Sequence, residues 1–447
     1  MQSRYTSWAW DALLAAGLLL SLETQLRPSG GAIGPGEIFL VLWAIPFIVS
    51  LLLHRDHVVP RACWEVLRFW MMFALALSLG VIMSIALGEV LDTSLVAHDI
   101  VAYLLLTLIT SLMTLSLSAP RMARVEWLFV VFGAGTVLLQ AANTWGWYAI
   151  PNIDPWYWER VRGWCENPNQ LALLGVLLAL LGLHLAERAT RTNSRLLAIA
   201  CALIAAVYGW FSASNDYHLV VVISVGLFGA IKLLRGLVAA KPRVLASIFA
   251  ACVVALLPLS IITFAFDDDI AGHAGSLAGG LVRNDAGSDL ALREELWGEG
   301  LTRGADAYML GFGPGPHLAI PGIILSNRRL DSQPINIQNP TAGIAANFET
   351  HNTLIELFVQ SGILGVVSFL WLGAIAVWRS VKAGHDGLTT ALCSLAIFGN
   401  SGVIFRFPGV WFVILLALTL DVSRRTVPAV AATAYHHWRA SHAYMES

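Results

Sequence analysis

Long apolar stretches alternate with short polar segments along the chain, and this pattern predicts helices that cross a membrane. A bilayer core requires about 20 mostly apolar residues for each helix. Stretches of this kind lie near 8–24, 35–53, 66–88, 97–118, 126–143, 169–187, 196–213, 217–234, 244–266, 352–378, 386–404 and 408–423. We therefore predict an all-α polytopic membrane protein with about 12 transmembrane helices. The first stretch lacks a clear small-residue cleavage site, so we interpret it as a span rather than a signal peptide.

The same pattern divides the chain into three regions. Residues 1–266 hold the first nine predicted spans, residues 267–351 form one large polar loop, and residues 352–447 hold the last three spans and a tail. Within the loop, residues 288–301 carry apolar positions at helical spacing, which predicts a helix along the membrane surface. The chain has no obvious internal repeat, which argues against an inverted-repeat transporter.

The amino-acid composition narrows the class of protein further. Hydrophobic residues make up 57% of the chain and charged residues 13%, whereas soluble proteins carry about 45–50% and about 25%. This excludes an ordinary soluble enzyme and a disordered chain. The formal net charge of −2 gives no global field for a nucleic acid. The five cysteines show no CxxC spacing, so neither a disulfide framework nor a zinc site is predicted.

The positions of lysine and arginine predict the orientation. With the N-terminus in the cytoplasm, about two thirds of the 27 Lys and Arg residues lie on cytoplasmic segments. Most of the others lie in the large loop, which the positive-inside rule discounts because of its length. We therefore expect both termini inside and the large loop outside.

Four polar clusters interrupt the apolar pattern, and this topology puts all of them on the outer face. Polar groups at a membrane cost free energy, so their clustering indicates a function. The clusters are 160–170, 212–217, the large loop and 349–352.

Two of these clusters resemble helix starts. Asn167 followed by Pro168 is typical of an N-cap and a first helical residue. Residues 353–356 fit a capping box that begins at Thr353, with Thr350 or Asn352 as alternative caps. Helix N-termini and arginines together favour phosphate or carboxylate, and the pyrophosphate of a lipid carrier would suit them. Ordinary helix capping is the alternative.

Two histidines are candidates for proton transfer. His351 directly precedes a predicted membrane helix, where its imidazole could accept a proton near neutral pH. An interfacial histidine that only forms hydrogen bonds is the alternative. His317 follows a glycine-rich segment, and a structural role is favoured there. That segment, 311–315, lacks the Lys-Ser/Thr of a phosphate loop, so we predict a turn that returns the surface helix towards the bilayer.

The remaining candidates are weaker. Asp267, Asp268 and Asp269 could hold a divalent cation, although acidic triplets are more often simply solvated. Asp216 lies near the predicted site without a clear partner, and Arg406 could bind lipid phosphate or anchor at the headgroups. An aromatic set is predicted first as an interfacial belt and second as a sugar-stacking platform. It comprises Trp145, Trp147, Tyr148, Trp156, Tyr157, Trp158 and Trp164.

Three motifs carry a resemblance to a known family. They are the asparagine-rich helix opening at 162–172, Arg293 followed by Trp297 and the glycines of 311–315, and His351-Asn352 ahead of a span with Gly362 and Gly365. In this order they resemble the O-antigen ligase and polymerase superfamily of bacterial envelope glycosyltransferases. The resemblance covers roughly residues 155–375.

The resemblance implies a GT-C-like fold in the bacterial inner membrane and a metal-independent, inverting transfer at the periplasmic face, without a cofactor. The implied substrate is an undecaprenyl diphosphate-linked oligosaccharide, and the acceptor is a growing glycan or lipid A-core. Other implied partners are membrane lipids, a chain-length regulator and export proteins. A nucleic acid is not expected as a partner.

The resemblance also assigns roles to residues. Arg293 and Arg162 would hold the diphosphate, and His351 would orient or deprotonate the acceptor hydroxyl. His351 and Arg293 are thus the catalytic candidates. The candidates for binding the diphosphate, besides Arg293, are Arg162, Arg160, Asn167, Asn169, Arg406 and Asn352. Further candidate site residues are Asp216, Asn215, His317 and Glu349.

One position departs from the family pattern. Members often carry Ser-Arg-Gly where this chain has Ser214, Asn215 and Asp216, so an expected phosphate-binding arginine is missing. Either Arg162, Arg160 or Arg406 substitutes for it, or the donor differs.

Three functions remain open at this point. The favoured function is a polymerase of lipid-linked repeat units. The second is a ligase that moves finished glycan onto lipid A-core. A transporter or flippase of lipid-linked sugar is the competing class. It is disfavoured because the polar residues lie at predicted helix ends rather than in the middle of spans.

Overall fold

The computed structural model describes residues 4–27, 33–53, 59–89, 92–239, 286–319 and 348–420. These residues form a mostly helical protein with one two-stranded hairpin, β1 (Trp156–Tyr157) and β2 (Arg160–Val161). The helices are α1 (Arg4–Leu20), α2 (Pro35–Leu53), α3 (Arg61–Ala86), α4 (Thr93–Ser116), α5 (Ala119–Thr144), α6 (Pro168–Arg188), α7 (Thr192–Trp210), α8 (Asn215–Ala239), α9 (Ala286–Asp306), α10 (Thr353–Ala383), α11 (Asp386–Phe398) and α12 (Pro408–Leu418).

Within the described residues, eight helices are long and apolar enough to cross a membrane: α2 to α8 and α10. Shorter apolar helices lie at Trp8–Leu20, Asp386–Phe398 and Pro408–Leu418. The chain is therefore a multi-pass membrane protein. The predicted span at 244–266 and the acidic triplet at 267–269 lie outside the described residues.

Several helices begin before the predicted apolar stretch. α3 begins at Arg61 rather than residue 66, and α4 at Thr93 rather than residue 97. The carboxylate of Asp92 accepts hydrogen bonds from the N–H groups of Ser94 and Leu95, which fixes the start of α4. Hydropathy alone misses these first turns because they are polar.

The core lies around α6, which is largely buried and packs most extensively on α7. Small residues permit this close approach. A Cβ added to Gly182 would lie 2.8 Å from the Cβ of Ala202, and one added to Gly175 would lie 3.0 Å from the Cα of Gly209. Such small-residue contacts are typical of helices that associate within membranes.

The helix predicted within the polar loop is confirmed as α9, somewhat longer than residues 288–301; its place along the membrane surface stays a prediction. The glycine segment that follows is buried against α3, α4 and α10, in agreement with the predicted turn. α10 is interrupted at Gly362, whose φ is 60° and ψ −165°. There the N–H of Phe312 donates to the Val359 carbonyl at 2.8 Å, and the N–H of Ile363 donates to the Met309 carbonyl at 3.0 Å. Loop backbone thus replaces hydrogen bonds that the break removes from the helix.

The connections meet at two ends of the bundle. One end, which we call the site end, gathers the starts of α4, α6, α8, α10 and α12 with the hairpin and α9. The opposite end gathers the short connections α4–α5, α6–α7 and α10–α11. The polar clusters predicted from the sequence, as far as the structure describes their residues, lie at the site end.

Candidate functional site

α9 brings a cation to the start of α8. The guanidinium of Arg293 donates to both carboxylate oxygens of Asp216, at 3.0 and 2.8 Å. Asp216 lies in the first turn of α8, directly after Asn215, the first residue of that helix. The sequence suggested no partner for Asp216, and the structure provides Arg293. Two-point pairing of this kind is the same geometry that arginine uses to bind phosphate.

α9 also lies against the turn that carries His351. A Cβ on Gly300 would be 2.7 Å from Cγ2 of Ile355 and 2.9 Å from Cγ2 of Thr350. Arg293 precedes Gly300 on the same helix by about two turns, roughly 10 Å along the axis. One helix therefore links the two predicted catalytic residues at the same end of the bundle.

The His351 turn has an unusual backbone. His351 is exposed and has a φ of 51°, a left-handed conformation that few non-glycine residues adopt. Its ring lies edge-on to Phe348, with 5.5 Å between centroids. The turn holds the imidazole at the surface, immediately before the start of α10.

The start of α10 corrects one prediction. Asn352, an alternative in the sequence analysis, is the N-cap: its side-chain oxygen accepts from the N–H of Leu354 at 3.0 Å and of Ile355 at 3.2 Å. The capping box beginning at Thr353 is wrong. Thr353 is already helical, because the left-handed residue before Asn352 shifts the extended cap position to Asn352. The Glu356 carboxylate accepts from the N–H of Thr350 at 2.9 Å instead.

The start of α6 agrees with its prediction. Asn167 caps the helix by accepting from the N–H of Gln170 at 3.0 Å, and Pro168 is the first helical residue. Asn169 accepts from the hydroxyl of Ser214 at 3.0 Å and from the guanidinium of Arg160 at 3.3 Å. These contacts join the start of α6 to the segment before α8.

The two hairpin arginines are held by loop oxygens. Nε of Arg160 donates to the Ser212 carbonyl at 3.0 Å. Arg162 donates to the backbone carbonyl of Asp154 at 2.9 Å and to its carboxylate at 3.3 Å. The Arg162 guanidinium also lies 5.6 Å from the centroid of the Tyr157 ring. Both cations therefore lie at the site end with fixed orientations.

Arg406 lies in a buried acidic network. Its guanidinium is 2.9 Å from the Asp99 carboxylate and 3.5 Å from Glu356, and it also pairs with Glu349. Burial disfavours the cation, but the carboxylates around it, Glu349 foremost, raise the pKa of Arg406 well above its ordinary value. Arg406 therefore remains charged at every accessible pH.

Sequence reasoning missed the other members of this network. Gln360 donates to the Gly315 carbonyl at 3.1 Å and to Glu356 at 2.8 Å, and it accepts from the Tyr103 hydroxyl at 2.6 Å. The signal available in the sequence was the presence of Asp99 and Gln360 within predicted spans, where polar residues are costly.

His317 is buried among the glycine turns. One ring nitrogen lies 2.8 Å from the Gly313 carbonyl, and burial lowers the pKa of His317 to about 4. The ring is therefore neutral near pH 7, which fits the structural role favoured by the sequence. The neighbouring Arg303, also missed, donates to both carboxylate oxygens of Glu89 at 2.8 and 3.0 Å.

The aromatic belt is mostly exposed. The side chains of Trp147 and Trp158 are 83% and 79% exposed. Trp164 does not belong to it: this ring is buried, and its N–H donates to Asn143 at 3.2 Å. Within the described ranges, His, Cys, Asp and Glu side chains form no group of three suited to a metal ion.

Residues 192–370 match the family model described as O-antigen ligase. The matched region contains Asp216, Arg293 and His351, whereas the hairpin arginines, the start of α6 and Arg406 lie outside it. No curated protein gives a significant match. The family match confirms the resemblance to the O-antigen ligase and polymerase superfamily that the motifs predicted.

Proposed function

Because residues 192–370 are similar to the O-antigen ligase family, we propose that this membrane protein is a glycosyltransferase of the GT-C type. It polymerises undecaprenyl diphosphate-linked oligosaccharide repeat units into exopolysaccharide or O-antigen. The observation that carries the proposal is that α9 bears Arg293 and packs on the His351 turn at the end where α6, α8 and α10 begin. We assign this end to the periplasmic face of the bacterial inner membrane.

The diphosphate of the donor binds where cations and helix starts meet. Arg293 exchanges the Asp216 carboxylate for phosphate oxygens, since both anions accept the same two-point contact. Arg160, Arg162 and the capped starts of α6 and α10 supply further positive potential. Asn167, Asn169 and Asn352 belong to those helix starts.

Arg406 contributes indirectly. Its three carboxylate contacts favour holding the His351 turn over binding a further anion, because Glu349 and Glu356 both contact that turn or its helix. It is therefore a positioning residue in this proposal.

The reaction requires one proton transfer and one displacement. The acceptor hydroxyl attacks the anomeric carbon of the lipid-linked sugar and forms the new C–O bond. The bond from that carbon to the diphosphate oxygen breaks, and the leaving diphosphate takes the electron pair. His351 accepts the hydroxyl proton, and Arg293 stabilises the charge on the leaving group. A single displacement inverts the anomeric configuration.

The second candidate is the ligase that transfers lipid-linked glycan to lipid A-core. The matching family is described by this activity, and the same site would serve it with a different acceptor.

Mass spectrometry of lipid extracts from a deletion strain separates the two functions. Single repeat units that accumulate on the carrier support the polymerase. Full-length chains that remain on the carrier refute it and support the ligase. Purified protein with lipid-linked repeat units and a chelator then tests whether the transfer is metal-independent, with linkage analysis of the product.

A further inference from the structure

A cleft lies at the opposite end of the bundle from the candidate site, between α3 and α10. Its volume is about 640 Å³, within the range of roughly 300–1,000 Å³ typical of ligand pockets. Its walls include Val59, Arg61, Trp64, Arg68, Trp371 and Ile375. The proposed function uses none of these residues.

The charges of the cleft do not balance. Arg61, Glu65 and Arg68 follow one face of α3 at spacings of four and three residues. The Glu65 carboxylate, which also borders the cleft, lies 3.0 Å from Arg61 and 2.6 Å from Arg379. Arg68 is exposed, and within the described part of the chain no carboxylate pairs with it. The single carboxylate of Glu65 therefore lies among three arginines, Arg61, Arg68 and Arg379.

Arg68 lies within a membrane-spanning helix. It is seven residues after the first residue of α3, about 10 Å along the axis. An exposed cation near the end of such a helix is stabilised when it meets an anion such as a lipid phosphate. The adjacent Trp64 and Trp371 are 52% and 39% exposed, and tryptophan is enriched at the level of lipid headgroups.

We propose that this cleft binds the phosphate of an anionic glycerophospholipid. Arg68 and Arg61 contact the headgroup phosphate, and the acyl chains run along Trp371 and Ile375 between α3 and α10. A lipid fits better than a soluble anion, because the tryptophans and Ile375 make the wall beside Arg68 apolar. The inference stands independently of the proposed function, since it concerns other residues at the other end of the bundle.

Native mass spectrometry of the purified full-length protein tests the proposal. With phosphatidylglycerol and phosphatidylcholine offered at equal concentration, we expect at least one phosphatidylglycerol to bind with severalfold preference. Arg68→Gln should reduce that affinity at least fivefold and leave phosphatidylcholine binding unchanged. Arg188→Gln is the matched control, because Arg188 is an exposed arginine in the last turn of α6 at the same end.

Tryptophan fluorescence provides a measurement that does not depend on the folding of the arginine variant. Brominated phosphatidylglycerol should quench the unaltered protein more than brominated phosphatidylcholine, and Trp371→Phe should reduce that excess. Equal quenching by both lipids, or full retention of phosphatidylglycerol by a folded Arg68→Gln protein, would overturn the proposal. Displacement of the lipid by millimolar inorganic phosphate would overturn it too, in favour of a soluble-anion site.

Discussion

The two ends of the bundle use charge differently. At the opposite end, the connections α4–α5, α6–α7 and α10–α11 are two or three residues long. Ion pairs such as Lys232 with Asp386 at 2.8 Å and Arg121 with Asp11 at 2.6 Å link neighbouring helices there. At the site end, the hairpin and α9 contact the starts of α6, α8 and α10. Short connections at the opposite end keep paired side chains of neighbouring helices close together, whereas the hairpin and α9 add further polar side chains over the helix starts at the site end.

Substitution of His351 should have the largest effect. We expect His351→Ala to reduce transfer by the pure protein about 10²–10⁴-fold, the usual contribution of a general base, while expression and membrane insertion are retained. Steady-state rates with lipid-linked repeat units measure this. His98→Ala is the control, because His98 lies on α4 at the same end with a side chain 44% exposed. Normal chain length from His351→Ala would remove His351 from the mechanism.

Arg293→Ala should reduce transfer about 10²–10³-fold, because the leaving diphosphate loses its fixed cation. Arg293→Lys keeps the charge but loses the two-point geometry, so its rate should lie between those of the alanine variant and the unaltered protein. Lys382→Ala, at the opposite end, should leave the rate unchanged. An unchanged rate in Arg293→Ala would remove this cation from the reaction.

Arg406→Met tests how strongly the site end depends on its buried network. The substitution leaves Asp99 and Glu356 buried without their cation, which should cost about 3–5 kcal/mol of stability. Thermal unfolding in detergent measures the loss. Arg195→Met, which removes an exposed arginine near the opposite end, should change stability by no more than about 0.5 kcal/mol. Equal losses in both variants would contradict the contrast between buried and exposed arginines.

The buried His317 should make stability depend on pH. Its folded pKa of about 4 lies below the ordinary value of 6.5, so the unfolded chain binds the proton more readily between these values. The stabilising contribution is complete above pH 6.5 and is lost as pH falls towards 4, by up to about 3 kcal/mol. Unfolding at pH 7 and pH 4.5 should show a smaller difference for His317→Asn than for the unaltered protein. The same difference in both proteins would assign the pH effect to other groups.

Sequence patterns correctly predicted those features of the fold that are determined by residues close together in the chain. The cap at Asn167, the helix α9 and most spans depend on residues close in sequence, and the structure contains them. The Tyr103 hydroxyl and the Gln360 side chain are 257 positions apart, and no spacing rule connects such residues. The capping box failed for a similar reason: the left-handed turn at His351 depends on contacts of the whole segment and is invisible to a four-residue motif. The diphosphate roles of Arg160 and Arg162 stay predictions. So does the diphosphate role of Arg406, for which the proposed function substitutes positioning of the His351 turn.

The break at Gly362 couples two elements mechanically. The carbonyls of Val359 and Gln360 accept from the loop after α9, and the N–H of Ile363 donates to Met309 in that loop. The first ten residues of α10 are thus joined by backbone hydrogen bonds to the loop that follows α9. Any tilt of α9 that accompanies the arrival of a bulky glycan at Arg293 would carry the His351 turn with it, so recognition of one substrate and alignment for the other would be a single movement.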